Sequence, residues 1–239
     1  MLILICLITI FKTLRIFVNI IDFTNDLDKT NLTFSEVEEQ IKNFTLDFTG
    51  TKNEESEYRI SFPRYITPFY EYVFNKQVVP TQIHYVNYLY ISKNIEWLNE
   101  QKFSDKIMRG LEFRLKQTYP SLVRDLHFCL FLKEKSNFDN ILYNIDLDFK
   151  HGIDILIKKE NKNFGVNLYT STRRGMEFRE KKSKRHTYFD DVSNIELPVD
   201  FHGSRICGNF FLYGDREMNL LSKIIDSKLQ LEKAISYNL

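Results

Sequence analysis

Apolar positions in this chain keep a helical spacing through the first half and a strand spacing through the second. Val37, Ile41 and Phe44 share one helical face, and Ser35 with Glu38 three residues later reads as a capping box opening that helix. Residues 59–91 are dense in aromatics: Phe62, Tyr65, Phe69, Tyr70, Tyr72, Phe74, Tyr85, Tyr88 and Tyr90. Interleaved with Arg64 and Lys76 they would suit stacking on bases. The helical spacing of Phe69, Tyr72 and Val73 after Pro68 favours a core-forming helix instead. Ser92 is placed as the cap of a helix carrying Ile95, Trp97 and Leu98. Ser104 caps the next, whose stripe is Ile107, Met108, Leu111 and Leu115 and which Pro120 stops shortly after Thr118. Residues 124–133 are apolar with no deciding period, so they read as buried helix or buried strand.

From residue 138 the pattern becomes strand-like. Runs at 138–145, 152–157 and 164–171 are separated by short turns at 148–151 and 159–163, which predicts adjacent antiparallel strands. A basic segment follows, then strand-like runs at 195–201 and 208–214. Asp215 caps a last helix with Met218, Leu220, Leu221, Ile224 and Ile225 as its apolar positions. The sum is an α+β layered fold, a mixed β-sheet flanked by helices behind a helical, aromatic-rich N-terminal region. The expected division is 1–58 (apolar segment, acidic helix and linker), 59–104 (helical aromatic-rich region) and 105–239 (α/β core). The polar, acidic stretch 47–58 is the one candidate boundary.

Composition narrows the class. With 43% hydrophobic and 15% aromatic residues the chain can fill a core, which excludes a disordered protein. A formal net charge of +1 conceals an asymmetry: residues 22–57 hold ten acidic and three basic side chains, and residues 171–186 hold seven Lys/Arg against two Glu. The basic end calls for a polyanionic partner, although a charge run can also be only a solvated face. Cys6, Cys129 and Cys207 are odd in number and far apart, which argues against a disulfide framework or zinc site and for a reducing, cytoplasmic setting. The five histidines form no metal-binding pair, so a metal would be held by oxygen. The run 1–11 lacks the charge order and cleavage site of a secretory signal and is shorter than the roughly 20 apolar residues that span a bilayer. It reads as a core element, as a membrane-surface anchor within residues 1–23, or as an extended start.

Asp154 is an ionisable residue inside a run that otherwise reads as core, and a buried charge needs a partner. Asn167 and Tyr169, two apart on the next strand, share a face that comes level with it. If Glu112 packs over that face, two carboxylates and a carboxamide oxygen would suit Mg²⁺, and Arg173 and Arg174 would clamp phosphate oxygens. The plainer readings are an ion pair of Asp154 with Arg124 or Arg174, an i,i+4 pair of Glu112 with Lys116, and solvated turn positions for Asp146 and Asp148.

Helix with Glu112, strand, strand with Asp154, strand with Gly165-Val-Asn-Leu-Tyr, then a basic segment resembles the core of the PD-(D/E)XK nuclease superfamily, over about residues 105–231. Within it the arrangement is most similar to type II restriction endonucleases. The resemblance implies a Mg²⁺-dependent, site-specific endonuclease acting on double-stranded DNA, in a group where homodimers are common. By the same resemblance Asp154 is the first acidic metal ligand and Glu112 the helix acid. Asn167 and Tyr169 stand where the family has its second acid and its lysine, and Glu177 and Lys181 are the nearest replacements. DNA contacts are expected from Arg173, Arg174, Arg179, Lys182, Lys184, Arg185 and His186. A catalytically silent nuclease fold that binds nucleic acid is the alternative.

Overall fold

The computed structural model describes residues 23–183, 189 and 191–236. The apolar run 1–11 and the expected DNA contacts Lys184, Arg185 and His186 lie outside them.

Eight α-helices form among the described residues, five of them ahead of residue 105 or reaching only to it. Helix α1 (Phe34–Ile41) starts two residues earlier than Ser35 would allow. Thr33 is its N-cap, accepting from the Glu36 amide while Glu36 Oε2 accepts from the Thr33 amide at 2.8 Å. The buried stripe is therefore Phe34, Val37 and Ile41. Glu38, freed from capping, reaches across to His127 and Arg205. The stretch 47–58 is no bare linker: it carries α2 (Glu54–Tyr58), which rests on the long helix α6 (Asp105–Lys135). Contact is close because Gly110 has no side chain; a Cβ there would overlap Asn53 Cβ and come within 2.7 Å of Ser56 Oγ. Helix α3 (Ile66–Lys76) buries Phe69, Tyr70, Val73 and Phe74. From Gln82 to Glu100 the backbone stays helical, as α4 (Gln82–His84), a π-helical turn over Tyr85–Ile91, a 3₁₀ turn and α5 (Ile95–Glu100). Ser92 sits inside that run at φ −61°, so it cannot cap. Most aromatics of 59–91 are core: Phe69, Tyr70, Phe74, Tyr85 and Tyr90 are all buried.

Helix α6 is the spine, and it passes straight through Pro120. Proline at that position removes the amide that would bond Lys116 O and crowds that carbonyl. The orphaned oxygen is taken by Gln82 Nε2 at 2.9 Å from α4. The same buried glutamine also bonds Asp47 O and receives the Asp47 amide. Ser104 does cap α6, with its Oγ accepting from the Ile107 amide. The undecided stretch 124–133 is its second half, buried at Leu126, His127, Phe128, Cys129, Leu130, Phe131 and Leu132.

After α6 come β1 (Asn140–Leu142), β2 (Ile155–Lys159), β3 (Lys162–Thr170), α7 (Arg173–Ser183) and β4 (Val192–Val199), then a hairpin of β5 (Arg205–Cys207) and β6 (Phe210–Leu212), and α8 (Asp215–Ser236). The four-stranded sheet runs β1-β2-β3-β4, with β1, β2 and β3 antiparallel in turn and β3 parallel to β4. Glu160 and Asn161, at φ 50° and 60°, make the two-residue turn between β2 and β3. A parallel neighbour needs a crossover, which α7 provides while resting on β3. Pro198 is tolerated because β4 is an edge of this sheet. Both sheet faces are covered: Ile155 and Ile157 belong to the main core, and Leu156 to a smaller cluster with Leu147, Ile153 and Val192. The main core is continuous from Leu27 to Leu229 and includes residues from all three expected segments.

Candidate functional site

A cavity of about 720 Å³ opens where α6, β3, α7, β4 and the α3 entry meet. Asp154 lies at its wall, one residue before β2 and only 7% exposed. Its amide donates to Val166 O, and its Oδ2 accepts the Leu168 amide at 2.6 Å, so β3 holds the backbone of Asp154 on one side of Asn167 and its carboxylate on the other. Asn167 and Tyr169, on the same side of β3, both line the cavity. The helix Glu112 does not join them. Lys116 Nζ sits between Glu112 Oε1 at 2.7 Å and Asp47 Oδ2 at 2.8 Å, so the i,i+4 pair is real and the residue faces the 47–53 loop. That ammonium's hydrogen bond, with those of Thr49, holds the Asp47 carboxyl below its ordinary range.

A carboxylate and a cation stand next to Asn167 on neighbouring elements. In the parallel register Asn167 is paired with Glu196 on β4, and paired positions point the same way. Asn167 Nδ2 donates to Glu196 Oε1 at 3.3 Å, and Arg179 Nε from α7 donates to Glu196 Oε2 at 2.8 Å. The Arg179 guanidinium also lies 5.0 Å from the Tyr169 ring centre. Its hydrogen bond to Glu196 raises the Arg179 pKa further. A carboxylate and a cation thus surround Asn167 and Tyr169 from neighbouring elements.

Of the other expected residues, Arg173 is exposed and pairs with Glu177, which is also 3.4 Å from Tyr58 Oη. Arg174, Lys181 and Lys182 lie on α7, and their side chains fall outside the described set. Arg124, weighed above only as an ion-pair partner, is 6% exposed and lines the cavity with Nε lacking a hydrogen bond. Asp146 pairs with Arg64 and Lys150, and Asp148 lines the cavity wall rather than a solvated turn. The sequence reading passed over Glu196 although it carries the signal that singled out Asp154, a carboxylate within an apolar strand-like run, Ile195-Glu-Leu-Pro-Val.

Five carboxylates (Glu57, Asp125, Asp148, Asp154, Glu196) and four cations (Arg114, Arg124, Lys150, Arg179) line the cavity. The two signs are therefore nearly balanced along its wall. Among the described residues no group of three or more His, Cys, Asp or Glu side chains is placed to hold a metal ion. The oxygen set Asp154, Asn167 and Glu196 nonetheless has the hardness Mg²⁺ prefers, and Asn167 Oδ1 is a buried acceptor with no hydrogen bond of its own. No helix among the described residues is long and apolar enough to cross a membrane. Set against family models, curated proteins and solved structures, the chain has no match.

Proposed function

We propose that residues 105–239 form a nuclease core of the PD-(D/E)XK type and that the chain is a Mg²⁺-dependent DNA endonuclease working at the Asp154 cavity. Support for the fold comes from element order: α6, three antiparallel strands, α7, then a parallel strand in the sheet order β1-β2-β3-β4. The observation that carries the activity is the pairing of Asn167 with Glu196 and of Glu196 with Arg179. It supplies, from β4 and α7, the second acid and the cation that β3 does not.

Asp154, Asn167 and Glu196 would hold the metal, which when bound supplies charge to a phosphoryl oxygen and lowers the pKa of a water. The Leu168 amide fixes Asp154 in orientation. Arg179, positioned by Glu196, presents its remaining guanidinium N–H groups to phosphate oxygens. Tyr169, on the same side of β3 as Asn167, would orient a water by hydrogen bonding through its hydroxyl.

Supercoiled plasmid and genomic DNA incubated with Mg²⁺ test the reading. Wild type is expected to cut, with Asp154→Ala and Glu196→Gln at least about a hundredfold slower while circular dichroism shows both variants folded at the assay temperature. If wild type cuts no DNA, hydrolysis is refuted. A second reading, binding without cleavage, is favoured by Asn167 and Tyr169 standing where such enzymes have an acid and a lysine. It predicts DNA binding that weakens steeply with salt and survives Asp154→Ala.

A further inference from the structure

The helical turn Leu147–His151, between β1 and β2, holds one large apolar side chain out in solvent. Phe149 is 52% exposed, and it lines the rim of the Asp154 cavity with Asp148 and Lys150. Both ends of the turn are pinned. Leu147 is fully buried, and the His151 ring packs edge-on to Phe23 at 5.7 Å and against Phe189 at 4.8 Å. Asn144 Oδ1 accepts the amides of Asp146 and Leu147 at 3.0 and 2.9 Å, and the Gly152 amide closes the turn on Asp148 O. A backbone held this way keeps the ring at the surface although burial would stabilise it.

Isolated apolar side chains on a surface are ordinary and need no ligand. Phe149 differs in its company. The Arg64 guanidinium covers one face of the ring, 4.2 Å from its centre. Asp146 fixes that arrangement, with Oδ1 accepting from Arg64 Nη1 at 2.7 Å and Oδ2 from Lys150 Nζ at 3.0 Å. Arg64 comes from a distant part of the chain, and its backbone is set by buried tyrosines: Tyr90 Oη donates to Pro63 O and Tyr85 Oη to Tyr65 O. Two cations share the one carboxylate, while the turn's other acid, Asp148, lies 3.5 Å from the buried Tyr143 hydroxyl on the cavity side. The outer surface around the ring is thus positive. Lysine is depleted at the centres of protein–protein contacts, whereas a ring with cations beside it suits a polyanion that carries flat apolar bases.

We propose that Phe149 is a wedge: with duplex DNA across the cavity mouth, its ring enters the stack at one base step, backed by Arg64, while Lys150 meets a flanking phosphate. An apolar side chain inserted in this way partly unstacks the step and kinks the duplex. The cost depends on the step, and pyrimidine–purine steps such as TA and CA/TG give way most readily. Phe149 is then a specificity-determining residue that selects deformable steps beside the scissile bond without reading a base edge. This rests on the reading of the chain as a DNA-acting protein and says which duplexes it prefers.

Short G·C-rich duplexes, one with a single central TA step and one without, are titrated against the full chain by fluorescein anisotropy, with Mg²⁺ replaced by Ca²⁺. The TA duplex is expected to bind about fivefold or more tighter, the low end of what one unfavourable base pair costs. With 2-aminopurine as an adenine of that step, emission is expected to rise on binding as the base loses its neighbour. Phe149→Ala should abolish the rise and bring the two duplexes within about twofold of each other. Phe149→Leu, which keeps an apolar wedge, should retain both effects in part. Lys150→Ala should weaken both duplexes alike and lower the salt slope by about 1, with the emission rise still present. Circular dichroism checks that the three variants are folded. Equal affinity for the two duplexes, emission that stays flat at saturation, or effects that survive Phe149→Ala overturn the wedge and leave the DNA reading standing. DNA binding untouched by Phe149→Ala, with a change in the free protein's sedimentation, makes the ring a contact between copies and likewise overturns it. Absence of binding to every DNA overturns both.

Discussion

Replacing Gln82 by alanine isolates the device that lets α6 run through Pro120. Three hydrogen bonds go with the side chain: to Lys116 O at 2.9 Å, to Asp47 O at 3.1 Å, and from the Asp47 amide at 2.6 Å. A buried group left unsatisfied costs about 1–3 kcal/mol. Water reaches the exposed Asp47 side of the network, so the expected loss is about 2–4 kcal/mol, most of it at Lys116 O. In a Pro120→Ala background the new amide bonds that carbonyl, and Gln82→Ala should then cost about 1–2 kcal/mol less. Urea unfolding of wild type, both single variants and the double variant measures this coupling, with equal slopes confirming that the unfolded states are comparable. Additivity within about 0.5 kcal/mol would show that Gln82 does not stand in for the missing amide.

Gly110→Ala raises intrinsic helix propensity by about 1 kcal/mol yet should lower stability by about 1–3 kcal/mol, because its Cβ drives α2 off α6 at Asn53 and Ser56; thermal unfolding reads the sign. Burial pushes the Glu38 carboxyl up, but hydrogen bonds from His127 and Arg205 outweigh it and leave its pKa below the ordinary 4.5. The folded pKa is therefore the lower one, and the stability it confers is present above pH 4.5 and lost as pH falls through the folded value. Glu38→Gln should be less stable at neutral pH and lose less on acidification to pH 3, which urea titrations at both pH values would show. Asn167→Asp places a second carboxylate opposite Glu196, so without divalent cation its thermal midpoint should drop below wild type. Mg²⁺ should restore it in proportion to occupancy, and a midpoint indifferent to Mg²⁺ counts against the cation site.

Elements with a strong local period were legible from sequence. The three antiparallel strands follow from β-branched runs and the β2–β3 turn from its turn residues, whereas the expected short turn at 148–151 is a helical segment, Leu147–His151, within a longer connection from β1 to β2. The aromatic stretch 59–91 proved to be largely core because its rings recur at helical spacing. Misreadings fell where a distant residue changes a local rule. Pro120 is a stop signal for any isolated helix, and only Gln82, 38 positions earlier in the chain, removes the penalty. The capping position slipped by two because Ser35 and Thr33 are both competent caps, and burial of Phe34 decided between them.

The site divides the same way. Asp154 stood out because a carboxylate in an apolar run is costly, and Asn167 and Tyr169 followed from strand alternation alone. Glu196 sits in an equally apolar run, but its relation to Asn167 is set by a parallel pairing across the α7 crossover, whose register no local pattern encodes. Arg179 and Arg124 are harder still. On sequence the first is one of several cations in a basic run, and the second opens a stretch whose period does not separate helix from strand. Only once α6 is continuous does Arg124 turn to the cavity that Asp154 lines, and only once β4 lies beside β3 does Arg179 find a carboxylate to hold it. The chemistry-bearing residues of β3 were thus readable one by one, while the groups that complete them come from elements whose placement is tertiary.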